Sequence, residues 1–363
     1  MKARHLILLV FIVNLLTSCY KSEDINAELG EARYKLDKGT PIDDAISDYY
    51  TKYSRFVLYK YEPLDYQWSV KETSKSMRLT PVFNYSLKED ALDDLREAKE
   101  VLAEMESKTT KPEDIAKQKE IIKELGDFIV NYDTAEYQEQ RKELEVKCKD
   151  TLMMGYNVLK KVFIDLYDDE FKKKYFPFKI FLANTADLDF YKTSKKDLLS
   201  FYGQSFIAMG KVRKGINELT GDELNAYKTS INSSFWGGYL QINKKYTIPE
   251  AFYKISEKYY NVNLMILPEN AGKDKADVSY YSYGFWEADR KGMGDWGPYK
   301  TCPKREQDIE DTMKAILSHS KEELELAFEG HPILKEKYDF LIKYFKKQLG
   351  FDLTILASVD FSE

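Results

Sequence analysis

Between residues 87 and 150 the chain is written largely in Glu, Lys, Asp and Ala, and its apolar residues return at helical spacing. Leu95, Ala98, Leu102 and Met105 form one stripe, and Ile115, Ile122, Leu125 and Ile129 form a second. The second opens with Pro112-Glu113-Asp114. Proline suits a first turn because its missing amide would have no partner there, and acids suit the positive end of the helix dipole. Two amphipathic helices joined by the polar link 107–110 are therefore predicted. A third stripe, Leu144, Cys148, Leu152, Leu159 and Phe163, predicts a helix running to about Tyr167. Near the C-terminus Leu334, Tyr338, Leu341, Phe345 and Leu349 predict another, opened by Pro332 and closed by Gly350 as a left-handed cap.

Strand signals are fewer. Residues 54–61 are β-branched and aromatic, Lys179-Ile180-Phe181-Leu182 follows a turn at Pro177, and Phe206-Ile207-Ala208-Met209 adds a third run. Together these elements predict an α+β fold with a small sheet, a central helix and an added charged helical insertion at about 88–150. The insertion reads either as a solvated hairpin packed on the domain or as a partner-binding element.

The N-terminus reads as an export signal. Met1-Lys2-Ala3-Arg4 is basic, and the apolar run 6–13 is too short to span a bilayer, which takes about 20 residues. It ends in Leu16-Thr17-Ser18-Cys19, a match to the bacterial lipobox, in which the cysteine takes a diacylglyceryl thioether and an amine-linked acyl chain such as palmitate. Several acyl chains hold firmly, because each buried methylene adds about 0.8 kcal/mol. The expected organisation is a signal peptide over 1–18, lipidation at Cys19, a polar tether over 19–43 and a folded domain over 44–363. The expected location is the outer membrane, with either leaflet open, although the acids Glu23 and Asp24 resemble the export signal of surface-displayed lipoproteins.

Composition adds limits. The chain is 43% hydrophobic and 32% charged with net charge -6, an ordinary globular balance with no basic surface for nucleic acid. Cys148 and Cys302 could pair in an oxidising envelope, but Cys148 also fits its apolar stripe, which favours two unpaired thiols. Three histidines are present, His5, His319 and His331; none is one helical turn from another, and the last two read as helix-end and turn residues.

The central run contains Phe235-Trp236-Gly237-Gly238-Tyr239, followed by Ile248-Pro249-Glu250-Ala251-Phe252. Then come Gly284-Phe285-Trp286, Gln307-Asp308-Ile309-Glu310-Asp311, and Tyr344-Phe345 with Gly350-Phe351-Asp352-Leu353 and Leu356. In this order the segments resemble the zinc-binding metallopeptidase lipoproteins that Gram-negative bacteria carry beside outer-membrane nutrient-uptake systems. The resemblance covers roughly residues 54–356 apart from the inserted helices. It implies a zinc-metallopeptidase-like fold, with His-Glu-x-x-His on a helix before a Tyr-Pro-x-x-Phe segment. Counted back from Pro249, the histidine positions fall on or beside Phe235 and Tyr239, and the glutamate falls on Trp236.

That chemistry needs two imidazoles one turn apart on the metal and a carboxylate as general base on its water. Phenyl, indole and phenol rings supply neither. Two adjacent glycines, each costing about 1 kcal/mol inside a helix, predict a weakened or broken helix as well. The expectation is a degenerate member of the family that lacks zinc ligands and so needs no cofactor. The acidic third ligand implied by the resemblance aligns with Asp308 and Asp311, which the helix dipole explains without a metal.

The loop 278–299 is rich in aromatics and glycine, and Tyr283, Trp286 and Trp296 could stack on a glycan or clamp a peptide. The reading is a lipid-anchored envelope protein, catalytically inactive, acting in ligand or partner binding. Two alternatives stand beside it. One is a metal-dependent peptidase with a non-standard site at Asp308, Glu310 and Asp311, although carboxylates alone suit calcium or magnesium better. The other is a structural accessory subunit of an uptake complex, recognised through the inserted helices.

Overall fold

The computed structural model describes residues 36–61, 63–66, 77–83, 88–108, 111–190, 193–195, 197–286 and 299–362. The predicted signal peptide, Cys19, most of the predicted tether and Trp296 lie outside the described residues.

A small sheet organises the chain. Strands β1 (Phe56–Leu58), β3 (Lys179–Phe190) and β6 (Phe206–Met209) run parallel side by side, and β5 (Ser200–Tyr202) joins β6 antiparallel at the edge. The second half of β3 leaves this layer and pairs antiparallel with β2 (Met77–Pro81) and β4 (Thr193–Lys195). Both faces of the parallel part are covered, so its side chains are apolar in both directions. Val57, Ile180, Leu182, Ile207 and Met209 point into the main core. Their neighbours Phe56, Leu58, Phe181, Phe206 and Ala208 point to a second cluster with Tyr66 and Leu79.

The helices follow in chain order, and most of them, though not the second and third, supply the main core on the first face. They are α1 (Pro41–Tyr53), α2 (Lys88–Ser107), α3 (Pro112–Asn131), α4 (Ala135–Val162) and α5 (Asp169–Tyr175). After the sheet come α6 (Gly221–Ser233), α7 (Glu250–Lys254), α8 (Arg305–Ser318), α9 (Lys321–Phe328), α10 (Pro332–Leu349) and α11 (Thr354–Ser358). The architecture is mixed α+β, as the patterning predicts. Helix α10 begins at Pro332 and ends at Gly350, whose φ of 77° is left-handed and costs glycine nothing.

Two boundaries differ from expectation. Helix α1 starts inside the predicted tether: Thr40 caps it, and Asp43 is only 1% exposed. Asp43 takes hydrogen bonds from Thr40 Oγ1 and Tyr59 Oη and pairs with Lys149 Nζ at 3.1 Å. Lys60, one residue past Tyr59, pairs with Asp37 at 2.6 Å. This carboxylate therefore ties α1, the end of β1 and α4 together. Burial alone would raise the Asp43 carboxyl, but hydrogen bonds from Thr40, Tyr59 and Lys149 outweigh it and hold it below the usual carboxylate range.

The second difference lies in α4. It is predicted to run to about Tyr167 but ends at Val162, with a short 3-10 turn after it, and of its predicted stripe Leu152, Leu159 and Phe163 are fully buried. Leu144, at the other end, is 53% exposed, and Cys148 is half-buried. The reason is geometric. A 28-residue helix is about 42 Å long, more than the core can cover, so its first half leaves the core with α2 and α3.

Candidate functional site

Helix α6 is well started. Thr220 Oγ1 accepts from the Glu223 amide while the Glu223 carboxylate accepts from the Thr220 amide, a reciprocal cap. The helix does not break at the two glycines. It runs on through Ser234–Leu240 in the wider π winding. The missing Cβ of Gly238 explains the local sequence, because the Tyr202 ring lies where a side chain would project. Gly237 has nothing within 4 Å of that position. The predicted break is thus a widening, of the sort found mostly as single turns inside helices.

The widened turn carries Phe235, Trp236 and Tyr239 into the core together. Phe235 and Trp236 are fully buried and Tyr239 is 8% exposed. Phe235 meets Phe163 and Phe176 edge-on, each at 5.3 Å between ring centres. Trp236 meets Phe345 at 5.3 Å and Phe351 at 5.5 Å. The Trp236 indole donates to Tyr167 Oη at 2.8 Å, Tyr167 donates to Asn232 Oδ1 at 2.5 Å, and Asn232 donates to the Val162 carbonyl at 3.1 Å. Burial pushes the Tyr167 phenol well above its usual range, so it stays a neutral donor. The side-chain polar atoms of this chain of contacts are used internally.

A zinc ion does not fit here. The three positions supply a hydrocarbon ring, a phenol and an indole already committed to Tyr167, and zinc needs imidazole, thiolate or carboxylate. Among the described residues no three His, Cys, Asp or Glu side chains come together in a way that could hold a metal.

Asp308 and Asp311 lie in the first two turns of α8. Asp308 is 1% exposed, and Lys337 of α10 is fully buried against it. Lys337 Nζ donates to Asp308 Oδ1 and to the Gly284 carbonyl at 2.8 Å, and Tyr260 Oη donates to Asp308 Oδ2. Three rings box the ammonium: Phe285 at 4.4 Å, Phe252 at 4.9 Å and Tyr260 at 5.9 Å. Burial pulls Lys337 below the ordinary lysine range, while Asp308 and Asp311 pull the other way. Burial and the Asp308 charge push the Tyr260 phenol far up. Glu310 is exposed and points away, so the predicted acidic set does not converge. Gln307 accepts from the Lys304 amide at 3.1 Å and caps the helix.

Lys337 was missed by patterning. It stands three residues after Leu334 and four before Leu341, on the buried stripe itself, and a lysine at such a position was the available signal.

The aromatic loop is split between two clusters. Tyr283 is 6% exposed and accepts from Asn270 Nδ2 at 2.7 Å, beside Leu264, Val278 and Cys302. Trp286 is 4% exposed and packs with Leu324, Phe328 and Leu334, its ring 5.4 Å from that of His319. These two rings cap the core and do not share an open surface. His331 caps α10 and lies 5.6 Å from the Tyr281 ring. Two surface grooves lie elsewhere. One, about 290 Å³, runs between Pro41 and Val146, Met153 and Met154, and the other, about 370 Å³, between Phe171, Lys174 and Leu349. None of the site residues expected from sequence lines either groove.

No protein-family model matches the chain, and comparison with curated proteins gives no match. Among solved structures the chain is similar to a "putative zinc-binding metallo-peptidase" from Bacteroides caccae ATCC 43185, with 18% identity over 57% of this chain and 74% of that chain. The TM-score is 0.35, so the mixed α+β class rests on the chain's own elements.

Proposed function

We propose that this chain is a non-catalytic, lipid-anchored protein of the outer membrane, built on a metallopeptidase-like fold and acting by binding a partner. One observation carries the non-catalytic part: the positions where the resemblance needs two imidazoles and a carboxylate are Phe235, Tyr239 and Trp236, sealed in an aromatic core. Asp308 is already committed to Lys337 and Tyr260, which argues against a rearranged acidic site.

The binding element is the helical insertion rather than the aromatic loop. Leu92, Val101, Ile121, Val130, Leu144 and Val146 are large apolar residues between 39% and 77% exposed, and all lie on α2, α3 or the first half of α4. They are spread over three helices of one segment, and that segment is taken as the contact element. A component of an outer-membrane uptake complex is the partner that the sequence resemblance points to. A glycan or peptide held by the loop is the lesser reading, because Tyr283 and Trp286 are buried.

The test has three parts. Elemental analysis after incubation with zinc should find no stoichiometric metal, and one tightly held zinc per chain would overturn the non-catalytic reading. Deleting residues 92–130 should abolish association with envelope partners while the rest stays folded, and unchanged association would overturn the role of the insertion. Intact-mass analysis should find acyl chains on Cys19 that Cys19→Ser removes.

A further inference from the structure

The surroundings of Lys337 hold it as a receptor holds an ion. Facing its ammonium are the Asp308 carboxylate, the Gly284 carbonyl at 2.8 Å, and the rings of Phe285, Phe252 and Tyr260. None of these groups belongs to α10. Phe252 comes from α7, Tyr260 from a few residues after it, Gly284 and Phe285 from the segment before residue 287, and Asp308 from α8. Helix α10 supplies the lysine, and other parts of the chain supply the box.

The box is held ready by contacts of its own. Tyr260 Oη donates to the second oxygen of Asp308, and Thr312 Oγ1 donates to the Asp308 main-chain carbonyl at 2.8 Å. Gly284 has a φ of 79°, and a Cβ there would lie 2.6 Å from Ser256 Oγ and 2.5 Å from Ile333 Cγ2. Glycine alone suits that position, and it brings the carbonyl to the ammonium. Ser256 in turn donates to the neighbouring Tyr283 carbonyl at 3.0 Å.

Carboxylate, carbonyl oxygen and ring face have one property in common, which is attraction for positive charge. With Asp308 only 1% exposed, a counter-ion is required, because a buried charge without one is strongly destabilising. Ring faces do not coordinate zinc, which takes nitrogen, sulfur or oxygen. The two oxygens call for N–H donors, which a quaternary ammonium lacks and a primary one has. We infer that this box is a site for a primary alkylammonium ion which the chain fills from within. Lys337 is thus the resident cation at the acidic position where the resemblance calls for a metal ligand. The inference rests on the non-catalytic reading above and deepens it, since the acid that would need a metal already has its counter-charge.

Lys337→Ala deletes the side chain from Cγ to Nζ, and n-propylammonium supplies the same atoms. Thermal melts of the full chain, followed by circular dichroism at constant ionic strength, compare n-propylammonium, n-propanol, tetramethylammonium and zinc. Lys337→Ala should melt below wild type, and n-propylammonium should raise its midpoint saturably, by roughly 2 °C at about ten times its dissociation constant. The alcohol has the shape without the charge, tetramethylammonium has the charge without the donors, and neither should act. Wild type, whose site is filled, and the double variant Lys337→Ala with Asp308→Asn should not respond to the amine. If Lys337→Ala does not fold alone, refolding in n-propylammonium should recover the wild-type spectrum and refolding in n-propanol should not. No response, an equal response to the alcohol, or an equal shift of wild type or of the double variant would overturn the inference. Zinc stabilising Lys337→Ala more than the amine does would overturn it as well, by making the position a metal site. Stoichiometric zinc on wild type is a separate result, and it would overturn the non-catalytic reading itself.

Discussion

Lys337→Met tests what now holds the acidic helix in place. The substitution keeps most of the side-chain volume, so the packing loss is small, under about 1.5 kcal/mol. The electrostatic loss is larger. Asp308 would remain 1% exposed without the ammonium that now faces its Oδ1. Removing one partner of a buried ion pair costs about 3–5 kcal/mol, because the other charge stays buried without compensation. Asp308→Asn should cost a similar amount by orphaning the ammonium inside its aromatic box. The double variant removes both charges and should lie within about 2 kcal/mol of wild type, since an apolar or neutral replacement of a buried pair is often tolerated. Urea unfolding followed by tryptophan fluorescence gives all four corners, and with these values the coupling should reach at least about 4 kcal/mol. Single variants that each lose less than about 1 kcal/mol, or a double variant as poor as the sum, would refute the claim that this pair fixes α8 on α10.

Three further outcomes follow from the same structure. Gly238→Ala should cost about 1–3 kcal/mol by forcing the Tyr202 ring aside, whereas Gly237→Ala should be neutral or gain up to about 1 kcal/mol, and reversed signs in thermal melts would show that the π turn is misread. Trp236→Glu, the residue type that the family's chemistry would require, puts an unpaired carboxylate among Phe171, Phe345 and Phe351, and should destabilise by more than about 4 kcal/mol; a stable, protease-resistant variant would count against the sealed core. The lowered Asp43 carboxyl means that the folded chain binds this proton less readily than the unfolded one, so its contribution is complete above about pH 4 and drains away as pH falls further. Asp43→Asn should flatten the acid limb of the stability profile, and an unchanged slope in urea melts across that range would remove Asp43 from the account.

Much of the scaffold was legible because it depends on local periodicity. Pro332 and Gly350 bracket α10 as their backbone chemistry demands, and the apolar run 206–209 became β6 residue for residue. Other features depend on contacts distant in sequence, and there local reasoning stopped. Gly237 and Gly238 look alike in sequence, but only Gly238 has Tyr202 against it, and the expected break is a wider turn. Periodicity showed that α4 has a stripe without showing which end leaves the core, so the exposure of Leu144 was not foreseen. The ring-rich loop suggested a binding face, whereas Tyr283 and Trp286 fill two separate parts of the interior. Composition cannot distinguish an aromatic residue that waits for a ligand from one that closes a core.

The clasp at Asp43 has a consequence for reach and direction. Because Lys149 anchors α4 beside the first turn of α1, the projecting hairpin takes its bearing from the place where the polypeptide enters the domain. Inserting one residue in α4 between Leu144 and Lys149 would turn everything beyond it by about 100° and move it outward by about 1.5 Å, while the buried half, from Leu152 onward, kept its place. Because Arg141, on the outer side of that point, also lies over the buried Phe83 ring, such a step would have to release this second contact, so the hairpin's azimuth and height are fixed at two places, the clasp and the end of β2.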